Sequence, residues 1–389
     1  MASNNYYNLK KILEKQAVYN IIIGQRGNGK TYQVLKYGLE QYWLTRTLQK
    51  ETEEGNLLPD FHQMAIIRRY SEHFKGKRAQ TMFDNLVSTG VVEKVTKGDF
   101  QNIIYKAGCW YLACKDENDK WLLDENPFCY AFALTQVEND KSSSYPYIRT
   151  ILFDEFISRN GYLPDEFSLF QNTLSTIIRD KRDVTIFMCG NTVNKYGCVY
   201  FSEMKLTHIK QQKIGTIDVY RTDRKLPTKY KSLIAVEYCD VAKATTKSAF
   251  YFDWDSKTVQ MITKGYWELA LYAVLPFSYN SLYGSMLNRF FIVYHDEMLN
   301  CELYYYSNSV FIYVQRKTSK LHVENDKICF SLDVHPEVNY FTRILHPERN
   351  IQLLKVIAQC FLTNKVFYQN DEIGEICRSY LIESEQKII

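Results

Sequence analysis

Eight consecutive residues, Gly24-Gln25-Arg26-Gly27-Asn28-Gly29-Lys30-Thr31, match GxxxxGK[ST] at every fixed position. Glycines at 24, 27 and 29 let the backbone curl until successive N–H groups point inward at phosphate oxygens. A helix starting at the end of the loop adds its dipole to that attraction. Lys30 then reaches the β- and γ-phosphates of ATP, and the Thr31 hydroxyl ligates Mg²⁺. A glycine-rich turn with a chance lysine is the bland alternative. The flanks argue against it, because the motif needs an apolar strand before it and a helix after it, and both patterns are present.

Phosphoryl transfer also needs a carboxylate at the metal and a group that activates water. Ile151-Leu152-Phe153-Asp154-Glu155 is an apolar run ending in adjacent acids. Asp154 suits the Mg²⁺ shell and Glu155 the general base. Phe187-Met188-Cys189-Gly190-Asn191 ends another apolar run. Asn191 falls where it can sense the γ-phosphate or orient water, since neighbouring strands of a parallel sheet end on one side. A turn or helix-cap asparagine is the alternative. Arg179 and Arg182 lie in TIIRDKRD, just before that second run. In a ring of subunits, Arg182 is the first candidate for a guanidinium offered to the neighbour's nucleotide. A salt bridge to Asp180 or Asp183 is its bland reading. Arg26 is a separate candidate for the γ-phosphate.

These groups have to be held by an α/β framework. Ala17 to Ile23 is a short apolar strand, and Val34, Leu35, Tyr37, Leu39, Tyr42 and Trp43 fall at helical spacing between Thr31 and about Lys50. Met64–Arg68, Phe128–Leu134, Arg149–Phe156 and Val184–Cys189 read as further strands, with Phe100–Cys114 alternating as a hairpin. Leu233–Cys239 reads as one last strand of a mainly parallel sheet. From Arg289 the texture changes to three antiparallel strands, 290–296, 301–307 and 310–316, then helices over Ile351–Leu362 and around Ile373–Ile382. The expected division is 1–245, a P-loop domain of the ASCE type; 246–284, a connector; and 285–389, a smaller α+β domain.

Of 389 residues, 46% are hydrophobic and 24% charged, which excludes a disordered tail, a collagen-like repeat or a coiled-coil rod. Net charge is only +4, so any basic surface must be local. Ten scattered cysteines include no CxxC pair and read as reduced, mostly buried thiols of a cytosolic protein. The longest apolar stretch, Tyr266 to Phe277, is too short to cross a bilayer and contains Glu268, so no membrane partner is expected.

GQRGNGKT, MAIIRR, the loop ending in SSSYP, ILFDEF and FMCGN together resemble the DNA-packaging ATPases of tailed phages. The encapsidation protein of small podoviruses is closer than the two-domain terminase, and the resemblance covers most of residues 1–245. Arg26, two places after the first loop glycine, is shared by that group and by terminases. The resemblance implies ATP hydrolysis driving double-stranded DNA into a preformed procapsid. It further implies a homomeric ring, usually a pentamer, in the host-cell cytoplasm and docked on the portal vertex, in some relatives through a structural RNA. Lys30, Thr31, Asp154, Glu155 and Asn191 match family positions; Arg182 matches only by approximate spacing.

A motor that accepts any sequence grips phosphates. Candidate contacts are Lys75, Lys77 and Arg78, and a second set at Lys210, Lys213, Arg221, Arg224 and Lys225, although a solvated surface role is the commoner fate of any one of them. Terminases carry an RNase H-like nuclease in the C-terminal part. Here Asp296, Glu297, Glu302, Glu324, Asp326 and Asp333 are present without a strand-centred DxG aspartate, so a vestigial nuclease fold is expected. The rival readings are an active-nuclease terminase, another P-loop DNA translocase such as a filamentous-phage extrusion motor, and a nucleotide-binding scaffold that does not turn over.

Overall fold

A computed structural model describes residues 6–51, 56–136, 143–158, 161–193, 195–222, 226–227, 229–239, 272–295, 297–318, 328–332 and 350–386. Contacts divide the chain into two units. The first takes in Met1–Ser158, Asp165–Thr192 and His208–Trp267; the second takes in Arg159–Pro164, Val193–Thr207 and Glu268–Ile389.

The first unit is built on a ten-stranded sheet: β1 (Ala17–Gly24), β2 (Gln63–Arg68), β3 (Asn102–Lys106), β4 (Cys109–Lys115), β5 (Trp121–Leu123), β6 (Cys129–Ala133), β7 (Ile148–Asp154), β8 (Thr185–Asn191), β9 (Ile217–Tyr220) and β10 (Ser232–Tyr238). The spatial order is β9-β10-β1-β8-β7-β2-β6-β4-β3, with β5 pairing β4 off that path. The six strands from β10 to β6 run parallel. The pairs at the two margins are antiparallel. This is the mixed α/β architecture, with a large and mostly parallel sheet, that the alternating apolar runs predict.

The parallel strands are apolar on both faces because a helix covers each. On one side α1 (Lys30–Thr45) buries Val34, Leu35, Leu39 and Tyr42, and its Tyr37 ring meets Phe187 of β8 edge-on at 5.5 Å. On the other, α2 (Glu166–Ile178) stacks Phe170 on Phe153 of β7 at 5.0 Å. Leu152 and Phe187, register partners across β7 and β8, therefore look toward α1, while Phe153 looks toward α2. Each such fully buried large side chain contributes about 1.5–3 kcal/mol relative to exposure.

The second unit has a five-stranded sheet: β11 (Met286–Tyr294), β12 (Glu297–Tyr306), β13 (Ser309–Arg316), β14 (Ile328–Ser331) and β15 (Val366–Tyr368), in the order β14-β11-β12-β13-β15. Strands β11 to β13 form the expected antiparallel meander. Helices α3 (Ile351–Leu362) and α4 (Asp371–Gln386) cover one face through Ile357, Cys360, Ile373, Ile376, Cys377 and Tyr380. Residues 246–271, most of the expected connector, lie outside the described residues. No described helix is long and apolar enough to cross a membrane.

Helix α1 packs against β2 at Gly38, where an added Cβ would sit 2.3 Å from Met64 Sδ. Met64 is fully buried and has little room to yield. We expect Gly38→Ala to lower stability in urea unfolding by about 1–3 kcal/mol, despite alanine's better helix propensity. Met64→Ala should recover part of the strain term when combined with it.

Candidate functional site

Four strands of the parallel sheet end side by side. Gly24 of β1 is in register with Asn191 of β8, and Cys189 of β8 with Asp154 of β7. Ile67 of β2 pairs with Phe153, which sets Arg68 level with Asp154. Residues chosen from four distant stretches of sequence therefore share one edge. Arg68, Asp154, Cys189 and Asn191 line a pocket of about 620 Å³ with Tyr6, Arg26–Gln33, Asn85, Thr89 and Glu155.

The loop between β1 and α1 takes the form its glycines allow. Gly29 precedes the first helical residue with φ +89°, a left-handed conformation that side chains avoid. At Gly24 a Cβ would meet Cys239 Cβ at 2.9 Å, so only glycine permits that packing. Lys30 is buried, and its ammonium donates to the carbonyls of Gly24 (3.1 Å) and Gln25 (2.7 Å), to Asn28 Oδ1 (3.1 Å) and to Asn191 Oδ1 (3.4 Å). Burial pulls its pKa below the ordinary lysine range. The Thr31 hydroxyl donates to Asp154 Oδ1 at 2.8 Å. Thr31, Asp154 and Lys30 thus meet at one place, with Asn191 beside them.

Arg68, at the end of β2, is the principal group that residue-type reasoning passed over. Its guanidinium bonds Asp154 Oδ2 and donates to Glu155 Oε2 at 3.3 Å. A cation at the end of the strand adjacent to an acid pair was visible in MAIIRR, but only strand order makes the two adjacent. Tyr6 was passed over too; its ring lies against Gly29, 3.5 Å from where a Cβ would stand. Both residues line the pocket.

Arg179 and Arg182 are elsewhere. They line a second cleft of about 1190 Å³ at the opposite end of β7 and β8, with Lys50, Arg149, Lys181 and Lys229. A seven-residue strand at about 3.3 Å per residue separates the two ends by about 20 Å. Arg179 donates to the Ser143 carbonyl. Arg182 is exposed, and its bland partner Asp183 is bonded instead by Arg149 Nε at 2.8 Å.

Of the candidate phosphate-gripping residues, Lys75, Lys77 and Arg78 are exposed on the connection from β2 to β3, where Lys75 also pairs with Glu72 at 3.3 Å. Lys210, Lys213 and Arg221 follow β8 on other connections; Arg224 and Lys225 lie outside the described residues. In the second unit, Glu302 is buried and accepts from Tyr279 and Tyr304 (2.7 Å each), Arg289 (2.9 Å) and Asn300 (3.1 Å). Glu297 pairs with Arg316 at 3.5 Å. Asp296, Glu324, Asp326 and Asp333 lie outside the described residues.

Residues 112–213 match the family model for the Podovirus DNA encapsidation protein (Gp16). The chain is 25% identical over 205 residues to the DNA packaging protein of Bacillus phage phi29, a match spanning 50% of this chain and 48% of that protein. The chain thus spans about half the length of that relative. Among solved structures it is similar to the bacteriophage Phi-29 viral genome packaging motor assembly, with TM-score 0.53, 19% identity, and 99% and 100% of the two chains covered. It is also similar to the Phi-28 gp11 DNA packaging motor, with TM-score 0.51, 16% identity, and 98% of each chain covered. At these identities the structural likeness speaks for the fold. The resemblance drawn from the sequence motifs holds.

Lys181 offers a pH test of the second cleft. Burial, with Arg149 and Arg179 alongside, brings its pKa from the ordinary 10.5 down to about 8. Between those values the unfolded chain holds a proton that the folded chain has released, so stability from this group rises with pH across that window. We expect the urea midpoint of wild type, read as its difference from Lys181→Met at each pH, to rise between pH 8 and 10.5. The buried thiols, whose raised pKa values lower stability over the same window, are common to both proteins and cancel in that difference.

Proposed function

From its likeness to podovirus DNA encapsidation proteins, we propose that this chain hydrolyses ATP to drive double-stranded viral DNA into a preformed procapsid. In this reading it works in the host-cell cytoplasm as one subunit of a homomeric ring, five subunits being the expected number. The ring docks on the portal vertex, with a structural RNA as a further partner to be tested. The observation that carries the reading is the hydrogen bond from Thr31 to Asp154, which joins a phosphate-loop hydroxyl to a strand-end acid 123 residues away.

In this reading the amides of Gly24 to Gly29 receive the phosphates, and Lys30 exchanges its loop carbonyls for β- and γ-phosphate oxygens. Thr31 and Asp154 offer hard oxygen donors of the kind Mg²⁺ takes, one carboxylate and one hydroxyl, so the residues fit that ion. Bound there, it would neutralise charge on the phosphate oxygens. The Tyr6 ring provides a face for the base, and Asn191, already bonded to Lys30, is placed to register the γ-phosphate. Glu155 takes the proton of the attacking water. The Arg68 guanidinium, 3.3 Å from Glu155 Oε2, holds that carboxylate at the pocket.

Arg179 and Arg182 stand too far from their own loop to serve it, which supports action on a neighbour's nucleotide. The basic residues after β2 and β8 would grip DNA phosphates without reading sequence. The proposed division remains 1–245 for ATP hydrolysis, 246–284 as connector, and 285–389 as a nuclease-like fold reused for docking or DNA contact. Glu302 supports reuse: four hydrogen bonds occupy its carboxylate. Metal-dependent DNA cleavage lost on Asp296→Ala or Asp333→Ala would reinstate the cutting reading.

The test is ATP turnover with and without double-stranded DNA. We expect stimulation by DNA and near-complete loss in Lys30→Ala. Glu155→Gln should lower kcat by about 10²–10⁴-fold while nucleotide binding persists. Doping wild-type rings with Arg182→Ala or Arg179→Ala subunits should depress turnover faster than linearly and tell which arginine acts in trans. Turnover indifferent to DNA, with both arginine variants fully active, would sink the packaging assignment.

A further inference from the structure

Asp154 and Glu155 are adjacent in sequence, and on a regular strand their side chains would point to opposite faces. Yet both carboxylates meet the same Arg68 guanidinium. The difference is made by the backbone of Glu155, which has φ +60°, a region that non-glycine residues populate sparsely. Such a conformation persists only where its surroundings over-determine it. Asn or Gly would adopt it more readily, so the conformation has to be imposed from outside the residue.

The next residue of β2's extension, Arg69, supplies that restraint. Its Nη1 donates to the Glu155 carbonyl (3.3 Å) and its Nη2 to the Phe156 carbonyl (3.0 Å). The same guanidinium is fixed from the far side by Glu166, at the start of α2, through Nε to Oε2 (2.6 Å) and Nη2 to Oε1 (2.8 Å). Arg69 is 7% exposed and Glu166 1%, so water competes for neither. On the other flank, the Phe156 N–H donates to the Cys189 carbonyl of β8 at 3.4 Å. A pair that merely seated α2 on the sheet would need the Glu166 contact but not the two carbonyls. Here one planar fork bridges a carboxylate and both peptides of the kink, a geometry that a lysine's point charge cannot reproduce.

We propose that Arg69, held by Glu166, is a positioning residue that fixes the left-handed backbone of Glu155 and so aims its carboxylate into the nucleotide pocket. This rests on the reading of that pocket as the ATP-hydrolysing site. Consecutive arginines at the end of β2 thereby divide the work: Arg68 meets the acid side chains, and Arg69 sets the backbone that presents one of them. Neither Lys30 nor Thr31 touches Arg69, so the effect falls on the chemical step and not on nucleotide capture.

The experiment compares wild type, Arg69→Lys and Glu166→Gln for kcat and KM of ATP turnover, for affinity of a fluorescent ATP analogue and for thermal midpoint. Folded variants should bind the analogue within about twofold of wild type, while kcat falls about 10- to 100-fold, the scale of a misplaced catalytic group. Placed on a Glu155→Gln background and followed in single turnovers, each variant should cause no further loss, because the group it positions is already removed. An unchanged kcat in a folded variant would overturn the proposal. So would an equal further loss on the Glu155→Gln background, or failure of both variants to fold, which would make the pair structural. Wild-type protein that does not turn over ATP would take down the ATPase reading and this inference together; turnover with an unaltered Arg69→Lys rate takes down this inference alone.

Discussion

The parallel register of β1, β8, β7 and β2 is the constraint on which the pocket depends. Because neighbouring strands run the same way and stop within two residues of one another, Gly24, Asn191, Asp154 and Arg68 lie along one edge. The Thr31 hydroxyl then needs only the first turn of α1 to reach Asp154. A one-residue slip would turn Phe153 toward the wrong helix and Asp154 away from Thr31. Packing and site geometry are therefore specified by the same register: the stacking of Phe153 on Phe170 that seats α2 is also what leaves Asp154 facing the phosphate loop.

Charge at this edge is balanced locally. Lys30 is buried, among the described residues, without a carboxylate in direct contact, and its cost is offset by four oxygens, two of them carbonyls of the loop that precedes it. Asp154 and Glu155 share Arg68, and Arg69 is matched by Glu166. Removing one partner of the buried Arg69–Glu166 pair would leave an uncompensated charge, a change that typically costs about 3–5 kcal/mol. The polar contacts form a chain from α1 through β7 and β2 to the start of α2, and α2 carries Arg179 at its far end. In the first unit α2 thus runs from Glu166, which holds Arg69 beside the acid pair, to Arg179 at the basic cleft.

The second unit handles its polar groups differently. Glu302 sits in the middle of the meander with four donors, and burial is outweighed by those bonds so that its pKa lies below the ordinary value. A carboxylate so satisfied anchors the turn that carries Tyr279 to the sheet and has little remaining capacity for a ligand. An acidic residue on a strand reads the same in sequence whether it binds a metal or seals a core, and here the neighbours decide.

The sequence by itself determined most of the elements and the residue types that end them. GxxxxGK[ST] between a strand and a helix places the phosphate loop, because glycine positions and flanking periodicity are local properties. The acid pair after ILF and the asparagine after FMCG are legible for the same reason, as polar residues that end apolar runs. Three antiparallel strands from 290 onward follow from period-two alternation and short polar turns. Only the tertiary structure decided the rest. Strand order brought Arg68 to the acid pair and carried Arg179 and Arg182 to the opposite end of the sheet, and no local pattern encodes which strands become neighbours. The left-handed backbone at Glu155 and its clamp by Arg69 and Glu166 were likewise invisible, since contacts between residues nearly a hundred positions apart arise only when the sheet and α2 are packed.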